Sequence, residues 1–308
     1  MGSEMCIRDR IMGTKTAMGS NFKPEVVKEV FSKVNGHSSI IKLAKKMPVA
    51  FSGNDIFTFS LDGEAAIVGE GAQKPAGTAT VAPVSVTPVK VVYQHRVSNE
   101  FMRASEEKAL GMLQAFTDGF AMKIARAIDI MSFHGVNPAD LKASDKIGTN
   151  HLDTVTSITY TEGKPEDALN AAIAVIGDND VNGYALSKAF ATALGSYKEN
   201  GVSLYPEFKL GANPGKLVGT ACDVNSTVNK GNADALAYVG DFENAFRWGY
   251  ADEIPMEVIQ YGDPDGQGDL KRTNEIVLRA EAWIGWGILN KDAFARIVKQ
   301  QTQADPKG

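Results

Sequence analysis

The residues of this chain that could carry chemistry are its four histidines, two cysteines and scattered serines and acids, and their spacing argues against most chemistry. A nucleophilic enzyme needs a serine or cysteine held beside a base, typically on a sharp G-x-S-x-G turn, and no such elbow occurs. His37, His95, His134 and His151 share no metal-ligand spacing, and Cys6 and Cys222 cannot form a thiolate metal site between them. Packing or surface roles account for each of them. Gly69-Glu70-Gly71-Ala72-Gln73-Lys74 imitates a phosphate loop but lacks its Gly-Lys-Ser/Thr ending. Pro75 and Gly77 follow where a helix should begin, so a mobile loop is the reading. Asp263-x-Asp265-x-Gln267-Gly268 imitates the start of a calcium loop. Its twelfth position is Asn274 where a bidentate Glu is needed, and strands flank it where helices should, so a tight polar turn explains the same residues. Asn225-Ser226-Thr227 fits a glycosylation acceptor, which has no meaning without a secretory signal. No catalytic, cofactor-binding or metal-binding residue is assigned. A hydrolase built from scattered Ser, His and Asp residues is the distant alternative.

The elements that must position these residues can be read from periodicity. Pro24 and Glu25 open a helical stretch whose apolar face is Val26, Val27, Val30 and Phe31; Gly36 stops it, and Ser39 to Leu43 continues as a short helix or an extended arm. Ile56 to Leu61 is rich in β-formers, and Val89, Val91, Tyr93, His95 and Val97 recur at period two. Pro83 and Pro88 put the start of that second run at a sheet edge or outside a sheet. Two strands joined by the polar, glycine-rich residues 62–80 predict an arm-like hairpin that reaches a neighbour. Ser105, Glu106 and Glu107 suit a helix start, and apolar spacing continues from Leu110 to Met131. At ~1.5 Å per residue this spine is about 40 Å long. Gly135 ends it.

Pro165-Glu166-Asp167 opens a further helix that Gly177 stops; Tyr184 to Leu186 reads as a strand, and Ser187 caps a helix running through Leu194. Met256 to Ile259 and Ile276 to Ala280 bracket a Gly/Asp/Pro loop, which predicts a β-hairpin. Phe294, Arg296 and Val298 alternate as in a strand, although Asn290 could cap a helix. The fold class is α+β, with sheet strands drawn from distant parts of the chain.

Composition narrows the function. The sequence has 308 residues, 44% of them hydrophobic and 22% charged, enough for a substantial core. The net charge of −5 is wrong for a protein that lives by gripping nucleic acid, though such a protein can sit beside DNA. No apolar run reaches membrane-span length and no secretory leader opens the chain, so synthesis in the cytoplasm without membrane partners is expected. Residues before Met12 read as foreign leader, dispensable and disordered.

Three stretches together resemble the major capsid proteins of tailed bacteriophages. Val68-Gly69-Glu70-Gly71-Ala72-Gln73-Lys74-Pro75, followed by Val89-Lys90-Val91 and Val97-Ser98-Asn99-Glu100, is similar to the family's extended loop. Ile124-Ala125-Arg126-Ala127-Ile128-Asp129 to Phe133-His134-Gly135 resembles the close of its spine helix. Val239-Gly240-Asp241-Phe242, then Arg279 to Trp286 and Asn290 to Phe294, resembles its C-terminal portion. The resemblance implies a phage major-capsid fold. Its parts are a leader (1–21), an N-terminal arm (22–53), an extended loop (54–97), a peripheral domain with the spine helix (98–164) and an axial domain (165–250). A peripheral hairpin (251–289) and a return to the axial domain with a C-terminal tail (290–308) complete it, and the resemblance tips residues 294–298 to strand.

The implied function is self-assembly, without catalysis or cofactors, into hexamers and pentamers of an icosahedral shell around double-stranded DNA. The chain would be synthesised in the host cytoplasm and end in the virion, from a phage or prophage. Implied partners are other copies of the chain, a portal protein and a separate scaffolding protein, because only about twenty residues precede Phe22. Residues 80–86 hold no lysine, so no covalent cross-linking is expected there. Expected contacts between subunits are Glu70 and Lys74 in the extended loop, and Asp263, Asp265, Asp269, Lys271 and Arg272 in the peripheral hairpin. The alternative with the same fold is an encapsulin-type nanocompartment shell, which encloses protein cargo.

Overall fold

A computed structural model describes residues 37–62, 65–74, 76–100, 106–251 and 256–300. The helical stretch expected over residues 24–31 and the leader before Met12 lie outside them. In chain order the elements are α1 (Ser39–Leu43), β1 (Lys45–Lys46), β2 (Asn54–Asp62), β3 (Thr78–Val86), β4 (Val89–Ser98), α2 (Glu106–His134), β5 (Thr156–Tyr160), α3 (Pro165–Ile176), β6 (Gly183–Leu186) and α4 (Lys188–Ser196). A small hairpin of β7 (Lys198–Glu199) and β8 (Val202–Ser203) follows, then β9 (Lys216–Leu217), β10 (Thr220–Val224), β11 (Ala235–Gly240) and β12 (Phe246–Tyr250). β13 (Met256–Ile259), α5 (Leu270–Thr273), β14 (Glu275–Ile288) and β15 (Phe294–Lys299) complete the chain.

The spine helix α2 has 29 residues, and its apolar positions Leu113, Phe116, Phe120, Ile124, Ile128 and Met131 are all buried. Their spacing places one stripe on one face, which is what fixes the helix against a sheet. Burial tightens along the helix. Near the C-terminus even Asp129, Ser132 and His134 are enclosed. Gly135, at φ +68°, ends the helix, and a Cβ there would lie 2.5 Å from the His151 ring, so a larger residue would have to displace that side chain.

The spine packs on a five-stranded sheet built around β14. Ile276, Leu278, Ala280, Ala282, Ile284, Trp286 and Ile288 alternate toward the same core as α2. β4 pairs antiparallel along one edge of β14, from Glu275↔Ser98 to Ile284↔Val89; β13 and β12 pair in succession along the other edge, and β1 joins β12. The second sheet has six strands in the order β5-β15-β11-β6-β10-β9. α3 and α4 cover one face through Leu169, Ala172, Ile176, Phe190 and Leu194. Ala185, Tyr238 and Phe294 share the core of the spine.

Of the two expected hairpins, the one between β13 and β14 is present and the other is corrected. β2 pairs with β3, from Asn54↔Val86 to Asp62↔Thr78, and not with the period-two strand 89–98, which belongs to the main sheet. Thr87-Pro88 separates the two: proline supplies no N–H to a ladder, so the chain folds back before it and enters the sheet after it. β5 is the parallel partner of β15 in the six-stranded sheet.

Candidate assembly interface

The β2–β3 hairpin stands on the body through a narrow base. Val86 is fully buried, and a Cβ on Gly287 would lie 2.7 Å from its Cγ2, so glycine there lets the hairpin root sit on β14. Beyond the root the hairpin has a bare apolar face. Phe57 and Phe59 lie opposite Pro83 and Val81, and Phe57, Phe59 and Val81 are 71%, 65% and 57% exposed. Among the described residues no third strand joins it. A two-stranded ribbon is marginal alone, and exposed apolar faces with open edges invite pairing.

Ile67, in the excursion between the strands, is also fully exposed. At the tip the Ala72 amide donates to the Gly69 carbonyl at 3.1 Å, so Glu70 and Gly71 form a tight turn, with Gly71 at φ +77°. Glu70 and Lys74 are exposed. Neither makes a hydrogen bond or ion pair among the described residues.

The loop between β13 and β14 is organised around Arg96, which the sequence reading missed. Its Nε donates to both Asp265 oxygens at 3.0 and 2.7 Å, Nη1 to Glu275 at 3.0 Å, and Nη2 to the Gly268 carbonyl at 2.7 Å and to Asp263 at 3.3 Å. Nη2 also bonds Asp265. The guanidinium fork suits this multidentate grip. The Asp265 hydrogen bond raises the pKa of Arg96 above the ordinary arginine value. In turn the Arg96 hydrogen bond holds the Asp265 carboxyl at about 2. Glu275 is lowered first by the Thr273 hydroxyl and then by Arg96. Arg279 and Gln94 add hydrogen bonds to the Pro264 carbonyl. Where a calcium-loop reading would seat a metal between Asp263 and Asp265, the guanidinium already sits. The missed signal was the face of β4 opposite its apolar residues, where Gln94 and Arg96 recur two apart.

The remaining charges of this loop divide. Asp269 accepts from the Lys271 amide at 2.8 Å and caps α5. The Lys271 ammonium lies 4.3 Å from the centre of the Tyr261 ring. Arg272 is exposed and has no partner among the described residues. Leu270 is fully buried and pins the loop to the body. The structure thus brings Asp263 and Asp265 together within the chain and leaves Arg272 without a partner among the described residues.

Two carboxylates, the buried Asp129 and the half-buried Asp153, lock the body that carries these surfaces. Asp129, on α2, accepts from Ser38 Oγ at 2.5 Å, the Ser39 and Ile40 amides at 3.0 and 3.1 Å, Thr227 Oγ1 at 2.6 Å and Asn225 Nδ2 at 3.4 Å. It therefore holds the start of α1 and the 225–227 turn on the spine. Burial pushes its carboxyl up to about 6, against the donors that favour the charge.

Asp153 bonds His134 at 3.0 Å, Tyr238 at 2.7 Å, Arg296 at 2.8 Å and Asn232 at 3.2 Å. Burial opposes its charge, but the His134, Tyr238 and Asn232 hydrogen bonds outweigh that and hold the carboxyl well below the usual range. A His–Asp pair can serve catalysis, but here the His134 side chain is fully buried and its Nε2 lies 3.2 Å from the Thr227 carbonyl, where a substrate would have to bind. The pair fastens the spine to β11 and β15. Among the described residues no group of three or more His, Cys, Asp or Glu gathers as a metal set, and no helix is long and apolar enough to cross a membrane.

Residues 21–299 match the phage capsid family. A protein described as "Probable major capsid protein gp17", from Mycobacterium phage D29, is 23% identical over 292 residues and aligns with 89% of each chain. A solved chain from Mycobacterium phage Ogopogo is 35% identical, covers 86% of this chain and 92% of its own length, and superposes with a TM-score of 0.74. One from Gordonia phage Cozz, at 23% identity, covers 86% of this chain and 87% of its own and shares the fold with a TM-score of 0.73. With the match running from the arm through the last strand, the chain belongs to the phage capsid family.

Proposed function

We propose that this major capsid protein assembles as hexamers and pentamers into an icosahedral shell that encloses double-stranded DNA. The observation that carries the reading is the hairpin face of Phe57, Phe59 and Val81, left bare by the described residues on a ribbon that no third strand among them joins. A second copy supplies the missing cover: apolar burial gains roughly 25 cal/mol per Å², and repetition of one contact by symmetry closes a shell from individually modest interfaces. Glu70 and Lys74, at the tip, contact the neighbouring copy. Lys271 and Arg272 meet acids of other copies, with Asp269 and the outer part of Asp263 as counterparts, while Asp265 acts through Arg96 to shape the loop. The subunit is made in the host cytoplasm and ends in the virion, and a portal protein and a separate scaffolding protein complete the particle.

The test is the variant Phe57→Ser/Phe59→Ser in the full chain. Expected are an unchanged thermal unfolding transition and a loss of shells by sedimentation and negative-stain microscopy. Wild-type shell yield from the double variant would contradict the role of the face.

A further inference from the structure

A cleft of about 310 Å³ opens between the arm, the spine and the axial sheet, away from the hairpin and the β13–β14 loop. Its charged lining is unusual for an acidic chain: Lys42, Arg126 and Lys188 line it, together with His37, against a single acid, Asp223. That acid is already spent. Its carboxylate bonds Lys42 at 2.6 Å, Ser39 at 2.6 Å and Asn213 at 2.9 Å, and its side chain is 3% exposed.

Arg126 has no carboxylate partner among the described residues; its one bond is from Nη1 to the neutral Ser226 hydroxyl at 3.3 Å. The residue is half-buried, so its charge is partly removed from water without compensation inside the chain. Lys188, on α4, is exposed and likewise unpartnered among the described residues. Two cations from different elements, both without a carboxylate partner among the described residues, line one cleft with the Ser226 hydroxyl and make a receptor for an oxyanion.

We propose that this cleft binds a phosphate group, and that in the particle the group belongs to the DNA backbone. The second part rests on the proposed enclosure of DNA and makes the cleft face the lumen. Arg126 and Lys188 supply the charge, and Ser226 Oγ and the free Arg126 N–H groups supply direction. A phosphate contact of this kind carries no sequence information. One weak contact per subunit, repeated over a shell, tethers DNA without condensing it on the wall.

The experiment uses the unassembled full chain and a fluorescein-labelled duplex of about 20 base pairs, with anisotropy read across a salt series. Each phosphate contact adds roughly one to the slope of log affinity against log salt, so Arg126→Gln/Lys188→Gln should lower the slope by about two and Lys188→Gln alone by about one. Lys188 is exposed, so the single variant keeps the test valid if the double variant misfolds. Lys146→Gln/Lys198→Gln, two exposed lysines outside the cleft, should leave the slope unchanged. Inorganic phosphate competing with the duplex supports a shared oxyanion site. Phosphate binding that the Arg126 and Lys188 variants abolish, with no duplex binding, keeps the site and assigns it to free phosphate, overturning the DNA source alone. Equal losses in the control pair, or no loss in either cleft variant, overturn the site. Shell formation is scored separately, so failure of the cleft and failure of the assembly reading are distinct results.

Discussion

Asp129 and Asp265 are both carboxylates ringed by donors, yet their settings move them in opposite directions. Burial raises Asp129 to about 6, above its ordinary 3.8, so folding favours its protonated form. Its contribution to stability is present below pH 3.8 and is lost as pH rises through about 6. Denaturation of the wild type and of Asp129→Asn across pH should show the wild type losing ground against the variant over that window. A pH-independent difference would contradict the burial argument. The variant also leaves donors of α1 without an acceptor, at a cost of about 1–3 kcal/mol. For Asp265, held at about 2 by Arg96, the sign reverses, and its contribution is lost only as pH falls toward 2. Cys222 is a third case: burial pushes its thiol up to about 12, so at pH 8 iodoacetamide should leave it unmodified until the chain unfolds, as peptide mass spectrometry would show. None of these settings was legible in the sequence. Asp129 reads as one more polar residue on a helix, and only the approach of residues 38–40 and 225–227, some ninety positions away on either side, gives it a role.

At the scale of elements, what was legible is what local rules control. The spine was expected to end at Gly135 and does; α3 starts at Pro165 and stops before Gly177; Ser187 caps α4, accepting from the Phe190 amide. The last strand, left between helix and strand by its own residues, is β15. Pairing was legible across the loop between β13 and β14, where the expected hairpin forms, and not over longer separations. β4 joins β14 nearly two hundred residues later, and no local pattern says which strand fills that edge. Arg96 escaped for the same reason, since its partners lie about 170 positions away. The loop it holds yields a prediction: Arg96→Lys keeps the charge but loses the fork, so amide exchange should quicken across residues 262–274 and stay unchanged in the C-terminal half of the spine. Uniform quickening would mean that Arg96 supports the whole fold.

At the scale of the whole molecule, the described residues form a well-buried body that carries a bare ribbon and a charged loop. A net charge of −5 makes subunits repel weakly, so closure depends on local complementarity and on salt. Lys271→Glu/Arg272→Glu should leave capsomers intact and weaken shell closure, most at low salt where screening is least. Wild-type yield across a salt series would remove those residues from the interface and leave solvated charges of negligible value. The central claim is that the hairpin face is completed by another copy of the chain. Cryo-electron microscopy of the assembled protein tests it directly. The account predicts a closed icosahedral shell in which Phe57, Phe59 and Val81 of each subunit are buried against a neighbour. A shell in which that face looks onto solvent, or a chain that stays monomeric under every assembly condition, would contradict it.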